Sequence, residues 1–324
     1  MHTEATEDTA WRRLAAVQSP EDVAGRATSR RRSRNVSDFE LAAYEPEHRD
    51  DYLRLLRGAW GHGSMSGEEF DWWFDGNPAG SLRSVALMDG RVVGVAAHSL
   101  YRMVLEGEEQ TASFSVHATT DPAARGRGIF VELERKHERE ATERGVACVL
   151  AFASAPTAPL FLGPLGWSEI GRMRVWARPV STRVSGDAVG TLDVAGDGAA
   201  GWPNHVIRDA DYLRWRYLNS PRGYEAVVNG EGYAVVWPEK RHKGRTIAVL
   251  ADLAGGRRLL REAERRSRAR LLFALPAPEQ RTGFLAAGFL PTPQTLNFMG
   301  KALAGRLNTD QRAWRVTLGD TDFF

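Results

Sequence analysis

The chain has 324 residues, of which 43% are hydrophobic, and its formal net charge at pH 7 is +2. This length is sufficient for two domains of ordinary size, and the near balance of charge is typical of soluble globular proteins, with no indication of a nucleic-acid or membrane partner. The single cysteine, Cys148, excludes a disulfide framework within the chain and is interpreted as a small buried apolar residue. Because we find neither a signal-peptide core nor an apolar run of about 18 residues, we expect a cytoplasmic protein.

A polar tail precedes the first predicted elements. Residues 1–36 are expected to be solvated and partly disordered, and their arginine-rich end would alternatively suit an acidic surface. A strand is predicted at 39–44. Ser66 has the position of an N-cap, with Glu69 three residues later, for a helix that contains several aromatic residues. These aromatic residues, 72–74, either line a pocket or pack on the sheet.

A strand, a glycine-rich turn, a helix and a second strand follow one another in the middle of the chain. Polar and apolar residues alternate from Ser113 to Ala118, which predicts a strand. After the turn 125–128, residues 130–144 show the apolar face and the i,i+4 charge pairs of a helix. The apolar run 146–152 is typical of a buried strand. Since free N–H groups at a helix start attract anions and glycines let the backbone approach them, the turn predicts a pyrophosphate site.

These motifs resemble the GCN5-related N-acetyltransferase (GNAT) superfamily, whose pyrophosphate-binding motif reads Arg or Gln, two residues, Gly, one residue, then Gly or Ala. Arg125 and Gly128 fit this motif, whereas Phe130 departs from it because the family usually has a small residue there. The stretch 160–167 is similar to the family's second motif, a helix that ends in a glycine–aromatic pair. The resemblance covers residues 37–180 and implies an α/β fold with a central mixed sheet and helices on both faces.

The resemblance also implies acetyl-CoA as the acyl donor and a small-molecule amine as the acceptor, and we find no cluster of metal ligands. Backbone N–H groups at the end of the predicted strand, near Ala118 to Thr120, would polarise the thioester carbonyl. Ser154 takes the place of the asparagine that is usual in the family. The donor-binding residues implied in this way are Ala118, Thr119, Thr120, Arg125, Gly126, Arg127, Gly128, Ile129, Phe130 and Ser154. Leu162 replaces the tyrosine that often protonates the departing thiolate, so the general acid is not identified.

His117 has a suitable pKa for the general base that accepts the proton of the attacking amine. Strand alternation turns its side chain away from Ala118 and Thr120 unless a bulge resets the register. A histidine that is only hydrogen-bonded beneath a helix is the alternative. Four further candidates for the base lie on the presumed acceptor side: His62, Glu68, Glu69 and His98.

The second half repeats the order of predicted elements. Residues 181–201 are glycine-rich and poor in large apolar side chains, which predicts a linker. Residues 202–324 then contain a hairpin at Asn229-Gly230 and an arginine-rich helix at 257–270, but no Arg-x-x-Gly-x-Gly motif. We interpret them as a degenerate second acetyltransferase-like domain that binds no coenzyme. The repeat is one of architecture and not of sequence.

Ten Lys or Arg residues lie between 241 and 270, and they predict a solvated helix face or, alternatively, a surface for an acidic partner such as an acyl-carrier protein or RNA.

Taken together, the sequence predicts an acyl-CoA-dependent N-acyltransferase. Two alternatives stay open. One is an acyltransferase that takes its acyl group from a carrier protein or an aminoacyl-tRNA, and the other is a non-catalytic protein that binds a coenzyme or another ligand.

Overall fold

The computed structural model describes residues 38–61, 64–180, 192, 201–242 and 244–322. From Phe39 onward the chain forms one compact unit. The predicted tail, 1–36, lies outside the described residues, as does the predicted linker, 181–201, except for Leu192 and Gly201. The predicted domain boundaries therefore stay a prediction.

The strands of the described residues are β1 (Glu40–Ala43), β2 (Ser81–Met88), β3 (Arg91–Leu105), β4 (Glu108–Thr120), β5 (Cys148–Ala153), β6 (Ser168–Pro179), β7 (Asn204–Val206), β8 (Glu225–Asn229), β9 (Gly232–His242), β10 (Arg245–Ala254), β11 (Leu271–Ala274), β12 (Leu290–Ala302) and β13 (Trp314–Arg315). The helices of the described residues are α1 (Arg49–Trp60), α2 (Gly67–Phe70), α3 (Ile129–Glu143), α4 (Ala158–Leu162), α5 (Ala210–Leu213), α6 (Arg257–Glu264) and α7 (Arg281–Ala286). Helices α2 and α5 each continue as a π-helical turn, over Asp71–Asp75 and Arg214–Leu218.

The arginine-rich helix is shorter than the sequence predicted. α6 ends at Glu264 and not at residue 270. Beyond its end, the Ser267 hydroxyl donates a hydrogen bond to the Ala269 carbonyl and accepts one from the Ala269 N–H. This local bonding competes with helical bonding and turns the chain towards β11.

All the strands of the described residues belong to one mixed sheet, in which most follow the order β1-β2-β3-β4-β5-β12-β6-β11-β10-β9-β8. From β2 to β8 this order is palindromic, because β2 to β5 of the first half mirror β8 to β11 of the second. One strand of each half crosses over to the other half: β12 pairs with β5, and β6 pairs with β11. The predicted α/β fold with a mixed sheet is confirmed, although the two halves share one continuous sheet where the sequence predicted a separate sheet for each.

Apolar cores cover both faces of the sheet, as predicted. The larger core, rich in aromatic residues, contains α1, α2 and α5. On the opposite face, α3 and α4 cover the first half and α6 and α7 cover the second. The alternation predicted for β4 holds as far as Val116, since Phe114 and Val116 join the aromatic core whereas Ser115 donates to Glu134 of α3. Beyond Val116 it is wrong, because Ala118 packs beside α3 and the His117 ring lies on the aromatic face.

The two halves share a short sequence pattern as well as an order of elements. Three residues recur identically 143 positions later: Trp72 as Trp215, Pro78 as Pro221 and Gly80 as Gly223. The N-caps of α2 and α5, Ser66 and Asp209, have the same separation, and each tryptophan lies in a π-helical turn. These identities fall at equivalent places of the two halves, and the architectural repeat stays a prediction.

The repeated tryptophans bond to each other across the two halves. The indole N–H of Trp72 donates to the Trp215 carbonyl at 2.6 Å, and the indole N–H of Trp215 donates to the Trp72 carbonyl at 2.9 Å. The neighbouring Trp73 is fully buried and donates to the Ser99 hydroxyl at 2.7 Å. Of the two roles predicted for residues 72–74, the structure shows packing.

Candidate acyl-donor and acyl-transfer site

The glycine-rich turn immediately precedes α3, as predicted. Gly126 and Gly128 have φ values of 79° and 82°, which other residues adopt only with strain. A β-carbon at either glycine would meet no atom within 4 Å, so the space beside both is open. The first N–H groups of the 15-residue α3 have no acceptor within the helix. This combination fits a pyrophosphate.

Strands β4 and β5 separate at the end that leads to this turn. Their parallel pairing runs from Ala112–Cys148 to Ser115–Ala151, although β4 continues to Thr120 and β5 to Ala153. Within the described residues, the backbone groups of β4 that face this gap have no strand partner. They belong to the stretch that contains the predicted Ala118, Thr119 and Thr120, and an N–H group here is suited to polarising a thioester carbonyl.

A β-bulge interrupts β4 at His117. On β3 the single residue Ala96 faces two residues of β4, His117 and Ala118. His117 has a φ of 50°, a left-handed conformation that is uncommon outside glycine. The bulge brings its ring to the aromatic face, which Val116 shares, while Ala118 packs beside α3. The bulge named in the sequence analysis is therefore present, but the His117 ring still lies on the face of the sheet opposite to Ala118.

The His117 ring packs among aromatic residues and beside one carboxylate. It makes edge-to-face contacts with Trp60, Trp73 and Phe74, at centroid distances of 6.3, 5.5 and 6.0 Å. Its Nδ1 lies 4.0 Å from the Asp322 carboxylate, and its buried Nε2 has no hydrogen-bond partner among the described residues. Burial lowers the pKa of His117, and Asp322 offsets only part of this effect. The ring is therefore neutral at pH 7, the form that accepts a proton.

Charged side chains from both halves lie close enough to His117 to act on its pKa. Arg222 and Lys240 lower this pKa, and Glu69 raises it. Arg222 donates to Glu69 at 2.8 Å, and its guanidinium lies 5.1 to 5.2 Å from the ring centres of three tryptophans. Burial, together with the charge of Arg222, lowers the pKa of Lys240 to about 7. The charged surroundings of His117 are thus built jointly by the two halves.

Three other predicted donor residues have defined surroundings. Ile129 is buried beneath α3, so only its backbone N–H is available to a ligand. Phe130 packs edge to face on Phe161 of α4 at 5.4 Å, as part of the core on that side. Ser154 follows β5, and its hydroxyl lies 2.9 Å from that of Thr157 at the start of α4.

The remaining candidates for the base are placed less favourably than His117. His98 is fully buried under α3, with its Nε2 2.9 Å from the Glu134 carboxylate. Glu69 accepts the N–H of Ser66 as part of a capping box and binds Arg222. Glu68 is exposed, and His62 lies outside the described residues. The role of His117 as base stays a prediction.

Sequence reasoning assigned no site residue to the second half and so missed Asp322, Arg222 and Lys240. Their contacts join residues far apart in the chain, 205 positions for Asp322 with His117 and 153 for Arg222 with Glu69. A periodic pattern within a short stretch of sequence does not predict such contacts. One signal in the sequence is the recurrence of Pro78 as Pro221, which directly precedes Arg222, and another is the resemblance of the ending 314–322 to the second halves of two-domain members of the family.

Within the part of the chain that the structure describes, no helix has the length and apolarity required to cross a bilayer. No three His, Cys, Asp or Glu side chains of these residues form a group suited to a metal ion.

Part of the basic stretch 241–270 forms α6 and its C-terminal end, where Arg257, Arg261 and Arg265 are spaced four residues apart. They line a shallow groove with Arg178 and Glu264.

Comparisons with known proteins agree with this architecture. Residues 40–170 match the family model of the acetyltransferase (GNAT) domain. No curated protein matches the chain. Among solved structures, a Pyrococcus horikoshii protein described as a candidate acetyltransferase is 14% identical, with a TM-score of 0.60 over 92% of this chain and 99% of that chain.

Two further structures are described as GCN5-related N-acetyltransferases. The protein from Anabaena variabilis is 14% identical, with a TM-score of 0.58 over 82% of this chain and 73% of that chain. The protein from Kribbella flavida is also 14% identical, with a TM-score of 0.54 over 82% of this chain and 71% of that chain. At this identity the likeness shows the fold. The glycine-rich turn and the gap between β4 and β5 both lie within the residues 40–170 that match the GNAT domain model, in agreement with the resemblance identified from the sequence.

Proposed function

We propose that the protein is an acyl-CoA-dependent N-acyltransferase, most simply one that transfers acetyl from acetyl-CoA to the amine of a small molecule. The observation that carries this proposal is the open turn at Gly126 and Gly128, which lies at the start of α3 and at the end of β4 where β5 diverges. The match of residues 40–170 to the GNAT domain supports the same class of reaction.

The chain offers a separate group for each part of the donor. The glycines of the turn and the first N–H groups of α3 would bind the pyrophosphate. Backbone N–H groups of β4 beyond Ser115 would hold the thioester carbonyl and stabilise the negative charge that develops on its oxygen. The donor would thus lie along the gap between β4 and β5, with its reacting end near the bulge at His117.

The reaction then requires one proton transfer from the amine and one to the leaving group. The amine nitrogen attacks the thioester carbon, so that a carbon–nitrogen bond forms and the carbon–sulfur bond breaks. His117 Nε2, which lacks a partner among the described residues, would accept the amine proton. The departing thiolate takes up a proton from His117 or water, which yields the amide and the free thiol of coenzyme A. Trp60, 44% exposed beside His117, marks the side from which an amine could approach.

The test compares two substitutions of Gly128 that differ only in charge. Both Asp and Asn tolerate a left-handed conformation better than most residues, but a carboxylate repels the pyrophosphate. We expect Gly128→Asp to weaken acetyl-CoA binding roughly tenfold or more, by about 1.4 kcal/mol, and Gly128→Asn to weaken it much less. Titration calorimetry measures both affinities, and a thiol-release assay with a panel of amines measures turnover.

Equal affinities for the wild type and both variants would show that the pyrophosphate does not bind at this turn. Donor binding without thiol release from any amine would instead favour the non-catalytic alternative.

A further inference from the structure

Asp322 links the C-terminal segment of the second half, residues 303–322 after β12, to the bulge in β4. Its carboxylate accepts a hydrogen bond from the backbone N–H of His117 at 3.1 Å. The same oxygen lies 4.0 Å from His117 Nδ1, which is too far for a direct hydrogen bond but close enough for a charge interaction. The side chains of Asp322 and His117 are 16% and 10% exposed, so water screens this interaction only in part.

The segment that carries Asp322 is held by buried arginines. Arg208 donates to both carboxylate oxygens of Asp320, at 2.9 and 2.7 Å. Arg216, fully buried, donates to the Gly319 carbonyl at 2.8 Å. Because the chain is fixed two residues before Asp322, the position of this carboxylate is set by the fold and not by a mobile side chain.

The hydrogen bond to Asp322 falls on a strained part of the backbone. His117 has a left-handed φ of 50°, a conformation that persists only when the surrounding structure holds it. The bond engages the N–H of the residue whose ring faces the aromatic core. Asp322 therefore affects the orientation of the His117 ring through the backbone hydrogen bond, and it affects the protonation of the ring through its charge near Nδ1.

We propose that Asp322 is the positioning residue of His117, so that the C-terminal segment completes the transfer centre of the GNAT domain. This inference rests on the proposed function, in which His117 is the base. The negative charge stabilises the imidazolium that forms when His117 takes up the amine proton, and the hydrogen bond keeps Nε2 directed to the acceptor side. The proton itself resides on His117 and is not transferred to Asp322.

The other charged groups that act on His117 are Glu69 on α2, Arg222 after the π-helical turn of the second half, and Lys240 on β9. The rings packed on it from α1 and from the turn after α2 are uncharged. Among these groups only Asp322 donates or accepts a hydrogen bond with His117 within the described residues. A change confined to Asp322 therefore tests its role without altering the others.

The substitution Asp322→Asn keeps an oxygen that can accept the His117 N–H but removes the charge. We expect the pKa of His117 to fall by roughly 0.5 to 1 unit, as for the loss of one partly screened charge. The acidic limb of the pH profile of kcat/KM for the amine should shift to lower pH by the same amount, with a lower plateau because the base is weaker. Two measurements report this: NMR titration of the His117 ring, assigned with His117→Gln, and the pH–rate profile.

Asp310→Asn is the matched control, because Asp310 lies on the same C-terminal segment and bonds to the exposed Arg312. It should leave the profile and the His117 titration unchanged. Acetyl-CoA affinity should be the same in all these variants, since none touches the glycine-rich turn.

If the His117 titration and the pH profile of Asp322→Asn coincide with those of the wild type, while only its melting temperature falls, Asp322 is structural and the inference is wrong. If His117→Gln retains full activity with an unchanged profile, the base lies elsewhere and the inference fails with it, although donor binding stands. If the proposed function is itself wrong, the wild type will not bind acetyl-CoA. The NMR titration is informative in every case, because it does not depend on turnover.

Discussion

His137 is a fully buried histidine on α3, in the helix that would bind the donor. Its Nε2 lies 3.0 Å from the Ser84 hydroxyl, and its Nδ1 has no hydrogen-bond partner among the described residues. The ring centre of His98 is 4.7 Å away. Burial, reinforced by His98 and Lys136, lowers the pKa of His137 well below its usual value, so the residue stays neutral in the folded protein.

This burial predicts a pH dependence of stability. Below about pH 6.5 the unfolded chain binds a proton at His137 that the folded chain does not, so the free energy of unfolding falls as pH falls, by up to about 1.4 kcal/mol per pH unit. In His137→Gln this contribution is absent, and we expect a shallower decline between pH 6.5 and 5 and an unchanged slope above pH 7. Urea unfolding at several pH values measures both slopes. Parallel curves for the two proteins over the whole range would contradict the assignment.

At the scale of an element, the C-terminal segment is held to the second half by a buried ionic cluster. Arg208 bonds to Asp252 of β10 and to Asp320, and Arg315 of β13 donates to Asp252 at 3.1 Å. All four side chains are buried. Burial alone would raise the pKa of Asp252, but Arg208 and Arg315 hold it below its usual value. Buried charges are tolerated here because each has an opposite partner.

Removal of one partner should therefore be costly. We expect Arg208→Met to reduce the free energy of unfolding by about 3–5 kcal/mol, because it leaves the two carboxylates short of positive charge in the protein interior. Arg214→Met, which removes an exposed pair with Asp211, should cost about 0–1 kcal/mol. Chemical denaturation followed by circular dichroism measures both. A loss for Arg208→Met no larger than for the control would show that the cluster relaxes or admits water.

The elements that form this architecture differ in how far the sequence predicts them. The turn at Gly128, the alternation along β4 as far as Val116 and the hairpin at Asn229-Gly230 depend on neighbouring residues, and local patterns identified all three. The placement of β12 beside β5 depends on contacts between residues some 144 positions apart, and no local pattern encodes it. The bulge at His117 was predicted only as a condition, because its main support, Asp322, lies 205 residues away.

At the scale of the whole molecule, the crossed strands make the halves depend on each other. Within the described residues β6 pairs only with β11 and β12, and β12 is the neighbour of β5 on the side away from β4. A fragment that ends at residue 180 therefore loses every strand partner of β6 and one of the two partners of β5. An unpaired edge of this kind favours association with other chains.

We accordingly expect the fragment 39–180 to aggregate or to unfold without cooperativity, whereas the chain 39–324 unfolds in a cooperative transition. Size-exclusion chromatography, thermal unfolding and the dispersion of an amide NMR spectrum distinguish these outcomes. A monomeric, well-dispersed fragment that binds acetyl-CoA would show instead that the predicted domain boundary at residue 180 marks an autonomous unit.

The two bonds between Trp72 and Trp215 have the reciprocity of an isologous contact, in which one group of each subunit meets the same group of its twin. Here both tryptophans belong to one polypeptide, so the contact relates the two halves of the chain as an isologous contact relates two subunits. Because the halves are covalently joined, equivalent places in them can differ in sequence. Eight residues, 121–128, connect β4 to α3 in the first half, and two, 255–256, connect β10 to α6 in the second. A dimer of identical chains would have to carry the same loop twice, whereas here only the first half has the longer, glycine-rich loop, and Arg222, Lys240 and Asp322 of the second half act on His117 of the first.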